Sequence, residues 1–395
     1  MKVFVISQPF IKDFCRTQRW PARTRGRALR PPDWLAYATA VLRKDGIDAR
    51  LFDFTARQWD KPRLGALIRA EQPDWVVLDS TTPSIYSDIE CARICKDAGS
   101  KVIMVGTHAS ALPAETLGIA AGAIDVIALG EYDYTVLDIV RQGRAFESIP
   151  GVCILRDGKP FYTPRRQLIA DLDALPFPSW EFIDIRDYFD AGRLYPYINI
   201  IGGRGCPFRC IFCQWPQLMF GHEYRFRSPR HVVDEIQYDL RIFPLLKYGE
   251  FFFEDDTFTV NRQRALAICD EMAVRGLKIN WSVNARPDIG DLGLFREMKK
   301  RGCRQFLVGF ESGDQGILDT IKKGISVRQS REFVALAHRA GIEVHGCFVL
   351  GLPGETAQTA RSTIEFALGL NLDTLQFSAA VPLPGSEYFD FCRNQ

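Results

Sequence analysis

The residues of this sequence whose spacing most clearly indicates chemistry are Cys206, Cys210 and Cys213. They lie in the segment 202–216, which reads Gly-Gly-Arg-Gly-Cys-Pro-Phe-Arg-Cys-Ile-Phe-Cys-Gln-Trp-Pro. Three thiolates can bind three irons of a [4Fe-4S] cluster and leave the fourth iron open to a small-molecule ligand. A fourth thiolate would close the cluster, so this spacing favours a cluster that takes part in chemistry over one that only transfers electrons.

Zinc binding and disulfide formation are the two alternative uses of these cysteines. Zinc sites usually combine two Cys-x2-Cys or Cys-x2-Cys/His-x3-His pairs, and no second pair follows within about 20 residues. A disulfide framework is disfavoured, because 11 cysteines are a modest number for 395 residues and nothing suggests export. We expect the cysteines outside this segment to be small, buried apolar side chains.

The spacing Cys-x3-Cys-x2-Cys, with the aromatic Phe212 before the last cysteine, resembles the signature of the radical S-adenosylmethionine (SAM) superfamily. The resemblance implies an enzyme in which SAM binds the open iron and is reductively cleaved to a 5′-deoxyadenosyl radical. This radical abstracts hydrogen from an unactivated carbon. The resemblance also implies that the backbone at Phe212 meets the adenine of SAM, and that a donor such as flavodoxin or ferredoxin supplies the electron.

Residues 196–395 alternate predicted strands with helical segments, and this pattern resembles the partial (β/α)6 barrel of the radical SAM core. The predicted strands are Tyr197 to Gly203, Glu250 to Glu254, Ile279 to Asn284, Arg304 to Phe310, Glu343 to Gly351 and Thr374 to Ala380. Barrel enzymes place their chemistry at the C-terminal ends of the strands. Relatives usually carry further helices after this point, which leaves open a missing C-terminal extension.

Charged residues follow the second and third of these strands. The carboxylates of Glu254, Asp255 and Asp256 are candidates for binding the amino group of SAM, with a Mg²⁺ site or a helix N-cap as the alternatives. Arg286 could bind the SAM carboxylate with two parallel hydrogen bonds, or it could be a surface arginine before a proline.

The fourth and fifth strands end in residues suited to the nucleoside part of SAM. Glu311 and Ser312 can accept and donate hydrogen bonds to ribose hydroxyls. Gly351 lies on the strand that runs beside the adenine in the superfamily, where a glycine permits close backbone approach. The alternative for this last stretch is an ordinary turn from a strand into a helix, with Thr356 near the helix cap.

Residues 1–150 predict a second domain, a doubly wound parallel sheet. Its predicted strands are Val3 to Ser7, Ala49 to Phe54, Trp75 to Ser80, Val102 to Gly106 and Asp125 to Ala128. Ligands of such sheets lie beyond the carboxyl ends of the strands. Residues 151–195 follow as a hairpin and a proline-rich linker, because proline density favours an extended chain over a helix.

Three loops at these strand ends, 80–84, 106–110 and 130–135, together resemble the cobalamin-binding domain that precedes many radical SAM cores. Helix-capping turns are the alternative for each loop. The Asp-x-His-x-x-Gly motif of methionine-synthase-like domains is absent, and the second strand is followed by Asp53-Phe-Thr-Ala-Arg-Gln-Trp59. Bound cobalamin would therefore lack a histidine lower ligand. The resemblance implies these cobalamin contacts: Ser80, Thr81, Thr82, Gly106, His108, Glu131 and Tyr132.

The bulk composition narrows the class of partner. A net charge of +2 gives no strong attraction to nucleic acid or acidic membranes. No signal peptide and no uncharged stretch of about 18 residues are visible, which predicts a cytoplasmic protein without a membrane span. One local run of arginines could be a solvated loop or a contact to a phosphate-bearing ligand: Arg16, Arg19, Arg23, Arg25, Arg27 and Arg30.

Two reactions fit this two-domain pattern. The first is cobalamin-dependent methylation of an unactivated carbon, and the second is a radical rearrangement, ring contraction, cyclisation or carbon–carbon coupling without methyl transfer. A cluster-bearing sensor without catalysis is a third, minor hypothesis. The segments 214–217 and 221–229 partly resemble hopanoid-associated radical SAM enzymes, but this short match carries no substrate identity. The expected substrate is a small or lipid-linked molecule.

Overall fold

The computed structural model describes residues 1–16, 21–24, 26–143 and 145–395. Two arginines of the run noted above, Arg19 and Arg25, lie outside the described residues. The chain forms two compact units. The first contains Met1–Ala191 and Trp215–Gly221, and the second contains Gly192–Gln214 and His222–Gln395.

The first unit is built on a seven-stranded sheet with the order β2-β1-β3-β4-β5-β6-β7. The first five strands pair in parallel, and the order reverses at β1, as expected for a doubly wound sheet. The hairpin predicted as the start of the linker instead pairs antiparallel with β5 and extends the sheet. The strands are β1 (Lys2–Ser7), β2 (Asp48–Asp53), β3 (Trp75–Ser80), β4 (Lys101–Gly106), β5 (Val126–Ala128), β6 (Val152–Arg156) and β7 (Lys159–Tyr162).

The central strands β1, β3 and β4 are almost entirely buried, because helices cover both faces of a parallel sheet. Phe4, Val76 and Met104 belong to one apolar cluster that also includes residues of the helices. The helices are α1 (Asp33–Lys44), α2 (Lys61–Glu71), α3 (Ile85–Asp97), α4 (Thr107–Ala111), α5 (Pro113–Ala120) and α6 (Asp133–Gln142). Asp60 caps α2 by accepting a hydrogen bond from the backbone of Arg63, and proline in the first turn suits that position.

The second unit carries a six-stranded parallel sheet with the order β15-β14-β13-β12-β11-β8, the partial barrel that the sequence predicts. Its strands are β8 (Tyr197–Ile200), β11 (Glu250–Phe253), β12 (Asn280–Ala285), β13 (Cys303–Glu311), β14 (Glu343–Leu350) and β15 (Thr374–Ala379). A short antiparallel pair, β9 (Gly203–Arg204) and β10 (Arg225–Phe226), lies beside it. The helices are α7 (Pro229–Ile242), α8 (Arg262–Val274), α9 (Leu292–Lys300), α10 (Gln315–Thr320), α11 (Val327–Ala340), α12 (Ala357–Gly369) and α13 (Glu387–Arg393).

The N-terminal ends of the barrel strands are linked by a network centred on the buried carboxylate of Glu250. Glu250 Oε2 lies 2.9 Å from Nη2 of Arg304 and accepts a 2.8 Å hydrogen bond from the backbone of Leu194. Ser282 donates its hydroxyl to the other carboxylate oxygen. Arg193 stacks 3.7 Å from the centre of the Phe252 ring. This end of the barrel is therefore used for stability, and the opposite end is left for chemistry.

Two helices of the second unit show the expected capping signals at their ends. Ser326 and Gln329 form a capping box at the start of α11, and Gly341 ends that helix in the left-handed conformation. Thr356 caps α12, which agrees with the alternative given above for the stretch after Gly351, a turn from a strand into a helix. Within the described parts of the chain, we find no helix that is long and apolar enough to cross a membrane.

Candidate active site

The cysteine segment lies between β9 and β10 and is held by backbone hydrogen bonds. The backbone N–H of Ile211 donates to the carbonyl of Ile321 over 3.1 Å, and the N–H of Tyr388 donates to the carbonyl of Ile211 over 3.0 Å. Nδ1 of His222 lies 3.2 and 3.1 Å from the carbonyl oxygens of Cys206 and Phe208. These contacts place the cysteines at the C-terminal ends of the barrel strands, as predicted.

The thiols themselves are shielded from water. Cys210 is buried, whereas Cys206 and Cys213 are half-buried. Burial, together with the nearby Asp256 carboxylate, raises the pKa of the Cys206 thiol to about 11. All 11 cysteines lie among the described residues and are free thiols. Across the described chain, no three His, Cys, Asp or Glu side chains converge on a single metal ion. In a cluster each thiolate binds a different iron, so the sulfurs need not converge on one point.

Arg286 faces the middle cysteine of the three. Its Nη1 lies 3.9 Å from Sγ of Cys210, and its guanidinium stacks 3.4 Å from the centre of the Phe208 ring. Nε and Nη2 donate to the two carboxylate oxygens of Asp288 over 3.0 and 3.2 Å, and Nη2 also donates to the carbonyl of Lys323 over 2.7 Å. These contacts occupy four of the five guanidinium N–H groups and leave one on Nη1.

Glu311 is paired with a lysine that the sequence analysis did not single out. Oε1 of Glu311 lies 2.7 Å from Nζ of Lys323, and both side chains are buried. Glu311 has a left-handed backbone with φ of 64°, which is strained for a residue that is not glycine. Ser312 is fully buried, and its hydroxyl lies 3.0 Å from that of Thr363 and accepts from the backbone of Asp314.

The three carboxylates after β11 have different surroundings. Asp255 is fully buried and accepts hydrogen bonds from the backbone of Gly202 over 2.6 Å and from the Tyr224 hydroxyl over 2.8 Å. Nη1 of Arg264 lies 3.3 Å from the same carboxylate. Asp255 therefore anchors the start of the cysteine segment. Glu254 is also buried, and Asp256 is half-buried and close enough to raise the pKa of Cys206.

Two further positions complete this end of the barrel. Gly351 has φ of 88°, its carbonyl accepts the Tyr388 hydroxyl over 3.0 Å, and an added Cβ would meet only Ala380 at 3.7 Å. Gln214 follows the last cysteine and is 4% exposed, yet neither of its amide atoms has a hydrogen-bond partner among the described residues. A buried amide without a partner costs about 1–3 kcal/mol, so we expect a bound group to satisfy it.

The candidate cobalamin loops of the first unit are bonded largely to themselves. The Ser80 hydroxyl donates to the carbonyl of Val105 over 2.6 Å and accepts from the backbone of Ala109 over 3.0 Å. The Thr81 hydroxyl lies 2.6 Å from that of Ser84. Gly106 has φ of 103°, and an added Cβ would collide with Asp79 and the Ser80 backbone.

The remaining candidates of that unit are buried to different degrees. Nδ1 of His108 lies 3.2 Å from the Thr82 hydroxyl, and burial lowers the pKa of His108 to about 4, so its imidazole is neutral near pH 7. Glu131 accepts a 2.8 Å hydrogen bond from the backbone of Ile169, and Tyr132 is 2% exposed. A buried hydroxyl without a hydrogen-bond partner, that of Thr107, lies beside His108 and fits a polar ligand at this strand end.

The described part of the arginine run is not one solvated loop. Arg16 is buried and pairs with Asp88 over 2.9 Å, while its Nε and Nη1 donate to the Gln8 carbonyl and the Ser84 hydroxyl. Arg30 pairs with Asp190 over 3.1 Å. The expectation of a solvated loop is therefore wrong for Arg16, because a contact 72 residues away in the chain removes it from solvent.

The donor set fits the cofactors that the sequence predicts. Three thiols, a guanidinium directed at one of them, and a buried amide next to another lie at one end of the barrel. Cationic and hydrogen-bond donors beside the sulfurs are what a thiolate-bound cluster requires. Lys323, Asp288 and Gln214 were missed by the sequence analysis. The pair Lys322-Lys323 has the pattern of surface lysines, and only the tertiary fold brings Lys323 to Glu311.

Comparisons with known families agree with this site. Residues 200–367 match the radical SAM superfamily, and residues 28–140 match the B12 binding domain. An uncharacterized methyltransferase of Pyrococcus horikoshii is 32% identical over 368 residues, which cover 91% of this chain and 78% of that protein. The anaerobic magnesium-protoporphyrin IX monomethyl ester cyclase of Cereibacter sphaeroides is 30% identical over 381 residues, which cover 92% of this chain and 61% of the cyclase.

Solved structures share the fold at low sequence identity. The radical SAM methyltransferase TsrM of Kitasatospora setae superposes with a TM-score of 0.79 at 18% identity, covering 100% of this chain and 76% of TsrM. The cobalamin-dependent SAM radical enzyme OxsB superposes with a TM-score of 0.75 at 17% identity, covering 92% of this chain and 51% of OxsB.

These matches define the class of protein: the chain is a radical SAM enzyme. More particularly, it belongs to the members of that superfamily that carry an N-terminal B12 binding domain. Its cofactors are a [4Fe-4S] cluster, SAM and cobalamin. The predicted superfamily, fold class and cofactors are confirmed, whereas the resemblance of two short segments to hopanoid-associated enzymes stays a prediction.

Proposed function

We propose that this enzyme is a cobalamin-dependent methyltransferase that methylates an unactivated carbon of a small-molecule or lipid-linked substrate. The observation that carries the proposal is the cysteine segment, with Arg286 directed at Cys210, in a chain that also has a B12 binding domain. Methyltransferase relatives support it. When bound, the cluster supplies the electron that cleaves SAM, and cobalamin supplies the methyl group.

The cysteine segment has two proposed tasks. Cys206, Cys210 and Cys213 each hold one iron, and the backbone at Phe212 meets the adenine of SAM. Asp255 acts on the segment indirectly, because its hydrogen bond from Gly202 fixes the backbone four residues before the first cysteine. A fixed segment limits movement at the open iron, which favours one orientation of the bound SAM.

The strand ends provide the remaining SAM contacts of the proposal. Glu254 and Asp256 follow β11 at its C-terminal end, and we propose that they hold the amino group of SAM. The free N–H of Arg286 can donate to the SAM carboxylate. Glu311 uses Oε1 for Lys323, and its second oxygen can accept a ribose hydroxyl. The adjacent Ser312 is proposed to contact the ribose, and Gly351, which has open space at its Cα, is proposed to lie beside the adenine.

The first unit provides the proposed cobalamin contacts. The hydroxyls of Ser80 and Thr81 already form hydrogen bonds within the first unit, so these residues would contact the cofactor mainly through their backbone. Thr82 and His108 are the candidates for side-chain contacts, with Gly106 as a point of close approach. The buried Glu131 and Tyr132 would shape the wall behind them.

Two features of the setting complete the proposal. The reaction consumes electrons, so a donor such as flavodoxin or ferredoxin is required. We place the enzyme in the cytoplasm, because a reducing compartment suits both free thiols and an oxygen-sensitive cluster.

The test is an anaerobic reaction of the full chain, reconstituted with iron, sulfide and cobalamin and supplied with SAM and a reductant. The tetrapyrroles named for several relatives form the first substrate panel. Methyl transfer predicts both S-adenosylhomocysteine and 5′-deoxyadenosine, together with a product heavier by one methylene unit. Formation of 5′-deoxyadenosine without S-adenosylhomocysteine would instead support rearrangement or cyclisation. Neither product with any substrate would contradict the proposal and support a sensor.

A further inference from the structure

Two buried cations lie close together in the second unit, and one of them faces Cys210. Arg286 is 5% exposed and presents Nη1 to Sγ of Cys210 at 3.9 Å. Lys323 is 6% exposed, and its backbone carbonyl accepts a 2.7 Å hydrogen bond from Nη2 of Arg286. Each cation has a carboxylate partner, Asp288 for Arg286 and Glu311 for Lys323, but Arg286 still directs one N–H at a sulfur.

The guanidinium of Arg286 is fixed in one orientation. Its Nε and Nη2 edges bind the Asp288 carboxylate, and Nη2 also donates to the carbonyl of Lys323. Stacking on the Phe208 ring restrains the plane of the group. The Asp288 carboxylate therefore lies on the Nε and Nη2 edges of the guanidinium, away from the thiol, and Nη1 faces Cys210.

Lys323 is held by the chain in a similar way. Its Nζ pairs with Glu311 over 2.7 Å, and Gly309 provides the space, because a Cβ there would lie 3.1 Å from Nζ and collide with Glu311. Burial lowers the pKa of Lys323, but attraction to Glu311 and Cys210 outweighs it, so the net pKa is raised. The side chain is therefore an ammonium at all pH values near neutrality.

We propose that the Nη1 edge of Arg286 sets the reduction potential of the cluster bound through Cys210. Reduction adds one negative charge to the cluster, and nearby positive charge stabilises the reduced state more than the oxidised state. Hydrogen bonding to a ligating sulfur acts in the same direction. Arg286 makes the cluster easier to reduce, so it is a positioning residue for the electron step. This inference depends on the proposed role of Cys210 as a cluster ligand.

The test is a redox titration of the anaerobically reconstituted full chain, followed by the electron paramagnetic resonance signal of the reduced cluster. The test variant is Arg286→Gln. The control is Lys322→Met, which removes a nearby lysine from an exposed pair with Glu387. At a fixed solution potential we expect the reduced-to-oxidised ratio to fall about tenfold in Arg286→Gln, a shift of about 59 mV for one electron.

The control variant is expected to match the wild type, and iron content is measured for every protein. A fully loaded Arg286→Gln variant with the wild-type potential would overturn the inference and leave the proposed function intact. If the wild-type chain bound no four-iron cluster, the proposed function would fail first and the inference with it. Arg286→Lys, which keeps the charge and loses the fork, is measured beside Arg286→Gln. A potential near that of the wild type in Arg286→Lys together with a lowered potential in Arg286→Gln supports a charge effect, and equal lowering in both variants contradicts it.

Discussion

The two units place polar residues at the same position, the C-terminal ends of parallel strands, and use them differently. In the first unit, Ser80 and Thr81 form hydrogen bonds that keep their own loops in shape. In the second unit, Arg286 is directed toward a thiol outside its own loop. Polar strand ends can thus serve either the loop that carries them or a shared centre.

The difference lies in what a substitution would disturb. A hydroxyl that links two backbone groups contributes to folding, and its loss is measured as a change in the free energy of unfolding. A buried cation beside a thiol contributes little to folding for its cost, and its loss is measured in the properties of the bound cofactor. Predictions for the two units therefore call for different measurements.

The largest expected effect is the loss of the cluster when Cys206, Cys210 and Cys213 are replaced together by alanine. We expect reconstituted protein to contain background iron and to form no 5′-deoxyadenosine, because no thiolate remains to hold the irons. Iron analysis and product chromatography measure this. Cys392→Ala, at an exposed cysteine, is the matched control and should retain both. Persistent SAM cleavage in the triple variant would contradict the role of these three cysteines as cluster ligands.

The second prediction concerns the ion pair of Arg16 and Asp88 in the first unit. Arg16→Ala leaves a buried carboxylate without its cation, so we expect the free energy of unfolding to fall by about 3–5 kcal/mol. Denaturant unfolding followed by circular dichroism measures the change. The exposed pair of Arg328 and Glu332 is the control, and Arg328→Ala should cost at most about 1 kcal/mol. Equal costs at the two sites would show that Arg16 is not a structural anchor.

A smaller effect is expected for Ser80. Ser80→Ala removes one hydroxyl that serves two buried backbone groups, which should lower the free energy of unfolding by about 1–3 kcal/mol. The same denaturant experiment applies. Ser148→Ala, where the hydroxyl is exposed, should change stability by less than about 0.5 kcal/mol. A neutral Ser80→Ala would mean that the loop does not depend on its hydroxyl.

The last prediction is a pH dependence from His108. Burial lowers the pKa of His108 to about 4 from the ordinary 6.5, so between these values the unfolded chain binds more protons than the folded chain. The contribution of His108 is fully present above about pH 6.5 and is lost as the pH falls toward 4. As the pH falls through this window, the free energy of unfolding of the wild type should therefore decrease more steeply than that of His108→Gln. Parallel curves would contradict the burial of a neutral imidazole.

Much of the fold was predictable, because β-branched runs and turn residues mark parallel strands. Each of the predicted strands from Val3 to Ser7 through Thr374 to Ala380 appears within about one to three residues at either end. The hairpin β6–β7 was assigned to the linker, since nothing local shows that it pairs with β5. The assignment of 215–221 to the first unit was likewise missed, because it depends on packing of Trp215 and Phe220 against Trp34.

The candidate site was predictable where a motif carries it and not elsewhere. The cysteines follow a fixed spacing, so Cys206, Cys210 and Cys213 needed no structure. Lys323 lies 12 residues after Glu311, in the connection from α10 to α11, and no periodicity links the two. The burial of Gln214 without a partner depends on the surrounding fold and leaves no trace in the sequence.

The measurement that tests the account most directly is electron paramagnetic resonance of the reduced, anaerobically reconstituted chain before and after SAM is added. A cluster held by three thiolates with one open iron predicts a signal of a reduced [4Fe-4S] cluster that changes when SAM occupies the open iron. A signal that SAM leaves unchanged, or the absence of any four-iron cluster in fully loaded protein, would contradict the assignment of Cys206, Cys210 and Cys213.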